Sequence, residues 1–332
     1  MSVINVNFWG VRGSVPSPLT SKDVEKKVRA AIFQYVDENH LSIDDFIASQ
    51  VQTRPFTYGG NTLCVEVRYQ DNIFILDMGT GLRRLGNELF GKMMTDKGLN
   101  ISFIISHVHW DHIQGLPFFG PLYMNKASGI ANQWHFYGGT TWRKTAESCL
   151  KGQMDPPTFP IYWEEIEKIT EGIAFTDIHD AMIIPPSGSS PFIQFFKLNH
   201  PQETYGVRFI FPNGKILAYT TDNEPFDPCY PDPQLIKVAM DADLWITDCQ
   251  YTQNEYNGIT GISHRGWGHS YPEAVAQTAF VAKVKNLVTF HHDPGASDEK
   301  IEEIAEITQD EIKKMGGSCF VRASHEGMTY EL

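Results

Sequence analysis

"ISFIISHVHWDHIQGLP", residues 101–117, decides how the rest of this chain is read. Ile101, Ser102, Phe103, Ile104 and Ile105 form a short apolar run whose length suits a buried strand rather than a helix. His107, His109, Asp111 and His112 follow where that strand ends and the chain turns. Loops held by a rigid strand are the usual seat of chemistry. In extended chain His107 and His109 point the same way, so they can share one metal ion. Asp111 and His112 come where the turn bends and can face a second. Imidazole and carboxylate suit zinc, with manganese or iron as competitors. A solvated, histidine-rich loop is the plainer alternative, but turns collect Gly, Pro and Asn whereas metal sites collect His and Asp.

A site for two ions needs more donors, and these should come from other strand ends. "FKLNHPQETYG" places His200 after a strand, "ILAYTTDNEP" places Asp222, "ADLWITDCQY" places Asp248, and "NLVTFHHDP" places His291 and His292. "GWGHS" adds His269 in a glycine-rich turn before a helix. Taken singly, each could be a cap or turn residue. Together they supply what the first cluster lacks.

The frame between these motifs reads as alternating strands and helices. Ile4, Val6 and Phe8 alternate with Asn5 and Asn7 as a strand. From Thr20 onward Val24, Val28, Ala31, Ile32 and Tyr35 recur at helical spacing, with Thr20 and Asp23 as a capping pair. Leu63 to Tyr69 alternates again, "NIFILDMGTG" is a buried strand ending in a polar turn, and Leu82 to Phe90 is helical. Strands are expected at 192–198, 205–211, 215–220, 244–247 and 287–290. Helices are expected at 272–283 and after Ser297, and short strands at "CFVRA" and "MTYEL". The stretch 117–191 reads as loops, a short helix and edge strands. The expectation is one α/β domain over residues 1–332 with two β-rich halves and a helical insertion near 20–50.

Composition narrows the function. The 332 residues are 42% hydrophobic and 20% charged, an ordinary globular balance. No apolar run approaches the roughly 20 residues that span a bilayer, so no membrane association is expected. "MSVINVNFWG" has neither the basic nor the apolar region of a secretion signal. Cys64, Cys149, Cys229, Cys249 and Cys319 show no paired spacing, which fits free thiols in a reducing cytoplasm. The net charge of −13 repels long polyanions, and no Lys/Arg run overrides it. His40, His135, His179, His264 and His325 show no partner in the sequence and are taken as surface or core histidines.

The order HxHxDH, a lone His, an Asp and a late His resembles the metallo-β-lactamase superfamily. That resemblance implies a four-layer αββα sandwich with a binuclear site at one edge of two sheets. It also implies that His107, His109 and His200 hold one metal, that Asp111, His112 and His291 hold the other, and that Asp222 bridges them. Two such cations lower the pKa of bound water toward neutrality, and Asp111 would help to aim it. "GWGHS", a helix and then "LVTFHHDP" resemble the tRNase Z branch and its small-molecule phosphodiesterase relatives. By that analogy His269 is a general acid and Asp248 orients it, although Thr247 stands where the branch has a His. "GVRGS" with "YGGNT" is similar to the cyclic-nucleotide-cleaving members, anti-Pycsar phosphodiesterases included. Arg12, Ser14, Asn61 and Thr62 lie in those glycine-rich turns and could face the site; backbone turn roles are expected for most of them, with substrate contact as the alternative.

The expected function is therefore that of a phosphodiesterase with two divalent ions, zinc before manganese. It would act on a small phosphodiester, a 3′,5′-cyclic nucleotide first, in a cytoplasmic homodimer and without long nucleic-acid partners. A thioester or lactone hydrolase, or a metal-binding sensor without turnover, are the alternatives. Among the aromatic residues of the middle region (Phe118, Phe119, Tyr123, Trp134, Phe136, Tyr137, Trp142, Phe159, Tyr162, Trp163), most should be core. One or two could face a base.

Overall fold

The structure, a computed structural model, describes residues 2–37, 42–53, 55–93, 98–124, 132–170, 172–227 and 230–332. His40 and Cys229 lie outside the described residues. Two twisted sheets carry the chain. The first contains β1 (Ile4–Gly10), β2 (Cys64–Tyr69), β3 (Asn72–Leu76), β4 (Asn100–Ile105), β5 (Gln133–Thr141), β6 (Lys144–Thr145) and β7 (Ile173–Ile178). The second contains β8 (Ile183–Ile184), β9 (Phe192–Lys197), β10 (Tyr205–Ile210), β11 (Ile216–Thr220), β12 (Leu244–Asp248), β13 (Asn286–Phe290) and β14 (Phe320–Ala323). The last strand, β15 (Thr329–Glu331), returns to the edge of the first sheet beside β1.

Helices flank both sheets: α1 (Ser21–Asp37), α2 (Ile43–Thr53), α3 (Gly81–Met93), α4 (Trp110–Ile113), α5 (Ala146–Gly152), α6 (Trp163–Ile169), α7 (Pro233–Ala239), α8 (Gln253–Tyr256), α9 (Pro272–Val281) and α10 (Asp298–Lys314). The packing resolves into the four expected layers. Between the sheets lie Phe8, Val65, Phe74, Ile104, Phe195, Val207, Phe209, Tyr219, Ile246 and Phe290. The outer face of the first sheet buries Ile75, Ile101, Phe103, Ile105 and Trp134 against Leu82 and Leu85 of α3, Leu150 of α5 and Ile166 of α6. The outer face of the second sheet buries Ala218, Trp245 and Leu287 against Val238 of α7, Ala276 of α9 and Ile304 and Ile312 of α10. Phe103, Ile104 and Ile105 of β4 and Leu244, Trp245 and Ile246 of β12 are unbroken apolar runs because both faces are covered there.

Strand direction positions the site. β3, β4 and β5 run parallel in the first sheet, and β11, β12, β13 and β14 run parallel in the second. Their carboxyl ends gather at one edge, where Asp77, His107, Asp222, Asp248 and His291 leave their strands. β9 and β11 both pair antiparallel with β10, so β9 delivers His200 to the same edge.

The structure differs from the sequence reading in two places. The middle stretch is more regular than loops and edge strands. "QWHFYGGTT" forms the nine-residue β5, paired with β4 on one side and with β6 and β7 on the other, and two short helices follow. Its alternation, with Trp134 and Phe136 buried, was obscured by the Gly and Pro on either side. The helix after Thr20 forms, and Thr20 and Asp23 do cap it, but none of its residues is buried.

Candidate metal centre

The sequence-expected donors converge. Donor atoms of His107, His109, His200 and Asp222 lie within 4.8 Å of one another, as do those of Asp111, His112 and His291. Asp222 stands between the two groups. Its Oδ2 faces His107 Nε2 at 3.6 Å and His200 Nε2 at 3.9 Å, while its Oδ1 faces His112 Nε2 at 3.4 Å and His291 Nε2 at 3.2 Å. Asp111 Oδ2 completes the second group, 3.4 Å from His112 Nε2 and 3.3 Å from His291 Nε2. Asp222 and His291 both sit at positive φ, 54° and 58°, a conformation that costs an ordinary residue about 1–3 kcal/mol unless its surroundings impose it.

The far side of each ring fixes which nitrogen is bare. Nδ1 of His112 donates to Asp77 Oδ2 at 3.0 Å, Nδ1 of His200 to the Gly268 carbonyl at 3.0 Å, and Nδ1 of His291 to Gln250 Oε1 at 3.2 Å. Nδ1 of His107 donates to Ser106 Oγ at 3.1 Å, and that hydroxyl donates to Asp77 Oδ2 at 2.9 Å. All four rings thus turn Nε2 inward, as metal-ligating imidazoles do. His109 instead turns Nδ1 inward, 2.7 Å from His107 Nε2 and 3.3 Å from His200 Nε2. Nε2 of His112 and of His291 is buried without a hydrogen-bond partner. A bare buried nitrogen is costly, and a cation is the partner that would satisfy several at once. The donor set therefore fits divalent metal ions.

Electrostatics divide the donors: burial would lower His112 and His291, but Asp111 and Asp222 outweigh it and raise both, whereas the other three rings go down. Burial, then neighbouring imidazoles, pushes His107 well below its ordinary pKa and His109 down to about 4; burial also lowers His200. These rings stay neutral, the form that binds metal. Burial alone would raise Asp222, but His291, His112 and His107 outweigh it and hold the carboxylate well below its usual range; Asp111 is held down in the same way by His112 and His291.

Beside this pocket lies the pairing expected of His269 and Asp248. His269 Nδ1 donates to Asp248 Oδ2 at 2.8 Å, and the Ser270 amide donates to Oδ1 at 3.2 Å. The His269 ring stacks on His291 with centroids 4.7 Å apart, so the pair adjoins the second donor group. Asp248 is fully buried, and burial raises its pKa. Thr247, in place of a His, accepts a buried hydrogen bond from Thr220 Oγ1, which itself accepts from the Trp245 indole.

The glycine-rich turns prove to be scaffolding. The Arg12 guanidinium donates to the carbonyls of Gly59, Asp293 and Ala296. Asn61 donates through its amide and side chain to Glu326, and Thr62 exchanges hydrogen bonds with Thr80. Ser14 does reach the site, through its backbone: its N–H donates to Asp111 Oδ2 at 2.7 Å. A Cβ on Gly13 would fall 2.2 Å from the His291 ring, so only glycine lets this turn close over the ligand. His292 is buried with Nε2 on the Ser324 carbonyl, and burial lowers its pKa to about 3. His135 and His264 stack on Tyr137 and Tyr251, while His179 and His325 meet neighbouring carbonyls.

Sequence reasoning missed three residues that hold the donors: Asp77, Gln250 and Glu224. Asp77 accepts from Ser106, His112 and Tyr219. Glu224 accepts from the Tyr256 hydroxyl at 2.7 Å and from the amides of Gly266 and Gly268 at 2.8 and 2.9 Å. It thereby fixes the turn that carries His269 and the carbonyl that orients His200. The available signal was the shared pattern of an acid or amide just beyond an apolar strand, at "ILD", "TDNE" and "TDCQ".

Residues 95–292, more than half of the chain, match the model of the beta-lactamase superfamily domain. The chain belongs to that superfamily. An uncharacterized protein of Mycobacterium tuberculosis (strain ATCC 25618 / H37Rv) is 25% identical to this superfamily member over 211 residues, 61% of this chain and 65% of the relative. That match spans just under two thirds of the relative's own length. Ribonuclease BN of Escherichia coli O7:K1 (strain IAI39 / ExPEC) is 29% identical over 140 residues, 42% of this chain and 39% of that enzyme. Among solved structures, unliganded yeast PDE1 superposes with a TM-score of 0.64 at 12% identity, covering 100% of both chains. The metallo-beta-lactamase fold protein YhfI from Bacillus subtilis superposes at 0.60 with 16% identity, covering 99% of this chain and 100% of its own. At such identities the superpositions speak to the fold alone, and they agree with the two-sheet architecture of this member.

Proposed function

We propose that this protein is a binuclear metal-dependent phosphodiesterase acting on a small phosphodiester, a 3′,5′-cyclic nucleotide in the first instance. The observation that carries the reading is Asp222, with one carboxylate oxygen toward each donor group, beside a His269–Asp248 pair. Bound divalent cations, zinc being favoured by this donor set, would supply Lewis acidity for the phosphate and activate water for attack. His107, His109 and His200 would hold one ion, Asp111, His112 and His291 the other, and Asp222 both. With Nδ1 engaged by Asp248, which orients the ring, His269 has Nε2 left to protonate the departing ester oxygen. Asp111, oriented by the Ser14 amide, has a carboxylate placed to align the attacking water.

The choice of a small ester over a long RNA rests on the net charge of −13, which opposes the many phosphate contacts that a polynucleotide requires. The reading includes a cytoplasmic location and a homodimer. Among the described residues no helix is long and apolar enough to cross a membrane. Val24, Val28, Ile32, Phe33 and Val36 of α1 are exposed, and a second copy would have that surface to bury. The deciding experiment compares turnover of cyclic AMP, GMP, CMP and UMP with a tRNA precursor and a thioester under one metal condition. Cyclic nucleotide hydrolysis is expected. Efficient tRNA 3′ cleavage, or thioester hydrolysis without phosphodiester turnover, overturns the reading.

A further inference from the structure

Burial is uneven around the donors. His107, Asp111, His112, Asp222 and His291 are buried, whereas His109 and His200 are only partly so. The exposure of His200 lies in its backbone, since its side chain is 2% exposed, so solvent reaches the pocket on the His109 side, where the two ring centroids lie 5.1 Å apart. An exposed indole lies one residue from His109, and another lies one residue from the backbone partner of His200. Trp110 follows His109 in sequence and is 78% exposed. Trp267 precedes Gly268, whose carbonyl binds His200 Nδ1, and is 51% exposed. One indole opens α4, which follows β4 of the first sheet, and the other lies in the loop before α9, between β12 and β13 of the second.

Trp267 is presented with some care. The glycines on both sides adopt positive φ, 82° at Gly266 and 89° at Gly268, and Glu224 holds both of their amides. A Cβ at residue 268 would fall 2.0 Å from His200 Nδ1. The indole edge rests on His264, centroids 4.6 Å apart, and His264 stacks on Tyr251 at 3.9 Å. Tyr251 in turn lies 6.1 Å from His269. A backbone clamped this firmly leaves a large apolar ring facing water beside a polar pocket. Free exposure of such a ring contributes nothing to folding, whereas a rigid aromatic face is what a flat ligand ring needs. Trp110 is fixed differently, at the first position of α4, where its neighbours on both sides are donor residues.

We propose that Trp110 and Trp267 form the binding site for a planar heterocycle carried on the phosphoester, as in a nucleotide, while the donor pocket handles the phosphate. This rests on the reading of the site as a phosphodiesterase for small esters. It adds that selection among such esters is made by stacking at the opening and not by the pocket. Stacking accepts any base, so discrimination between purine and pyrimidine would be modest.

The test uses binding and not turnover. Calorimetry on the metal-loaded protein compares adenosine 5′-monophosphate with ribose 5-phosphate, which shares the sugar and phosphate but lacks the base. The nucleotide should bind about tenfold tighter, the worth of roughly one base stack. Trp110→Ala and Trp267→Ala should each bring the two ligands to near parity with metal content unchanged, while Trp110→Phe and Trp267→Phe should keep most of the preference. No preference in the wild type, no binding of either ligand, or a preference unchanged in both alanine variants overturns the proposal. So does a base preference that survives while the alanine variants change sedimentation, which would make the indoles a contact between copies. Phosphodiester turnover measured in parallel separates the two readings. Absent turnover with an intact stacking preference sinks the activity and leaves this site, and the converse sinks this site alone.

Discussion

The donor pocket and the turn beside it, residues 264–270, touch each other and are held in opposite ways. In the pocket four of the five imidazoles are locked from behind: Asp77 for His112, Gln250 for His291, the Gly268 carbonyl for His200 and Ser106 for His107. No single partner carries the whole. The turn depends on one half-buried carboxylate, Glu224, which gathers Tyr256, Gly266 and Gly268. The pocket is built so that cations complete it; the turn is complete without them. Damage to the pocket should therefore appear first as lost metal, and damage to the turn as lost proton transfer with metal in place.

Asp222→Ala is the strongest probe of that distinction, because one side chain faces both donor groups. Metal content by elemental analysis should fall together with activity. The loss of rate should reach about 10³-fold or more, since Lewis-acid stabilisation is worth several kcal/mol. A variant with full occupancy and turnover would show that Asp222 bridges nothing.

His269→Ala tests the other side. Metal content should stay intact while kcat falls by about 10²–10⁴, the usual worth of a positioned general acid. The leaving group sharpens the test: p-nitrophenolate departs without a proton, so the defect should shrink on a p-nitrophenyl ester. Equal defects on activated and unactivated esters would remove His269 from the acid role.

Both probes rest on residues that were legible in the sequence, and the reason is local. His107 to His112, His200, Asp222, Asp248 and His291 all follow short apolar strands, so burial pattern and chemistry change at one point in the chain. The fold was legible for the same reason, since strands such as "LWITD" and helices such as the one after Ser297 declare their covered faces. What stayed hidden depends on distant packing. Helical spacing in α1 shows which residues share a face but not what covers that face, and none of them is buried. β5 alternates correctly, yet its place beside β4 is settled by contacts more than thirty positions apart. Glu224 is two residues from the most conspicuous aspartate in the chain, but its partners lie at 256, 266 and 268.

Glu224→Gln asks whether that hidden carboxylate positions the acid. Glutamine keeps the size but replaces one of two acceptor oxygens with an NH2 that only donates, whereas the Gly266 and Gly268 amides need one oxygen each. Because Gly268 also orients His200, metal content is matched first; kcat should then fall about tenfold, more on unactivated than on activated esters, as the alignment of His269 is loosened. A merely structural role would lower the melting temperature and leave the ratio between the two esters where it was. Loss of the ratio in Glu224→Gln and its recovery in Glu224→Asp would place the effect in the carboxylate itself.

The smallest effect should come from the layer furthest behind the donors. Tyr219 lies between the sheets with its hydroxyl donating to Asp77 Oδ2 at 2.6 Å, so it supports the carboxylate that supports His112. Burial, then the charge of Asp77, pushes the Tyr219 pKa well above its ordinary value, so the hydroxyl stays a donor. Tyr219→Phe removes one of several hydrogen bonds to Asp77 and leaves the packing of the ring intact. Asp77 keeps Ser106 and His112, so both donor groups should still form. Their hold on metal should weaken by about tenfold, the low end of what outer partners contribute to metal affinity. Competition with a chelator reads this directly: the variant should lose metal at a lower chelator concentration, while a fully reloaded sample turns over at nearly the native rate. A native chelator profile would mean that Asp77 is oriented by Ser106 alone, and that the pocket's support ends at the first sheet instead of crossing to the second.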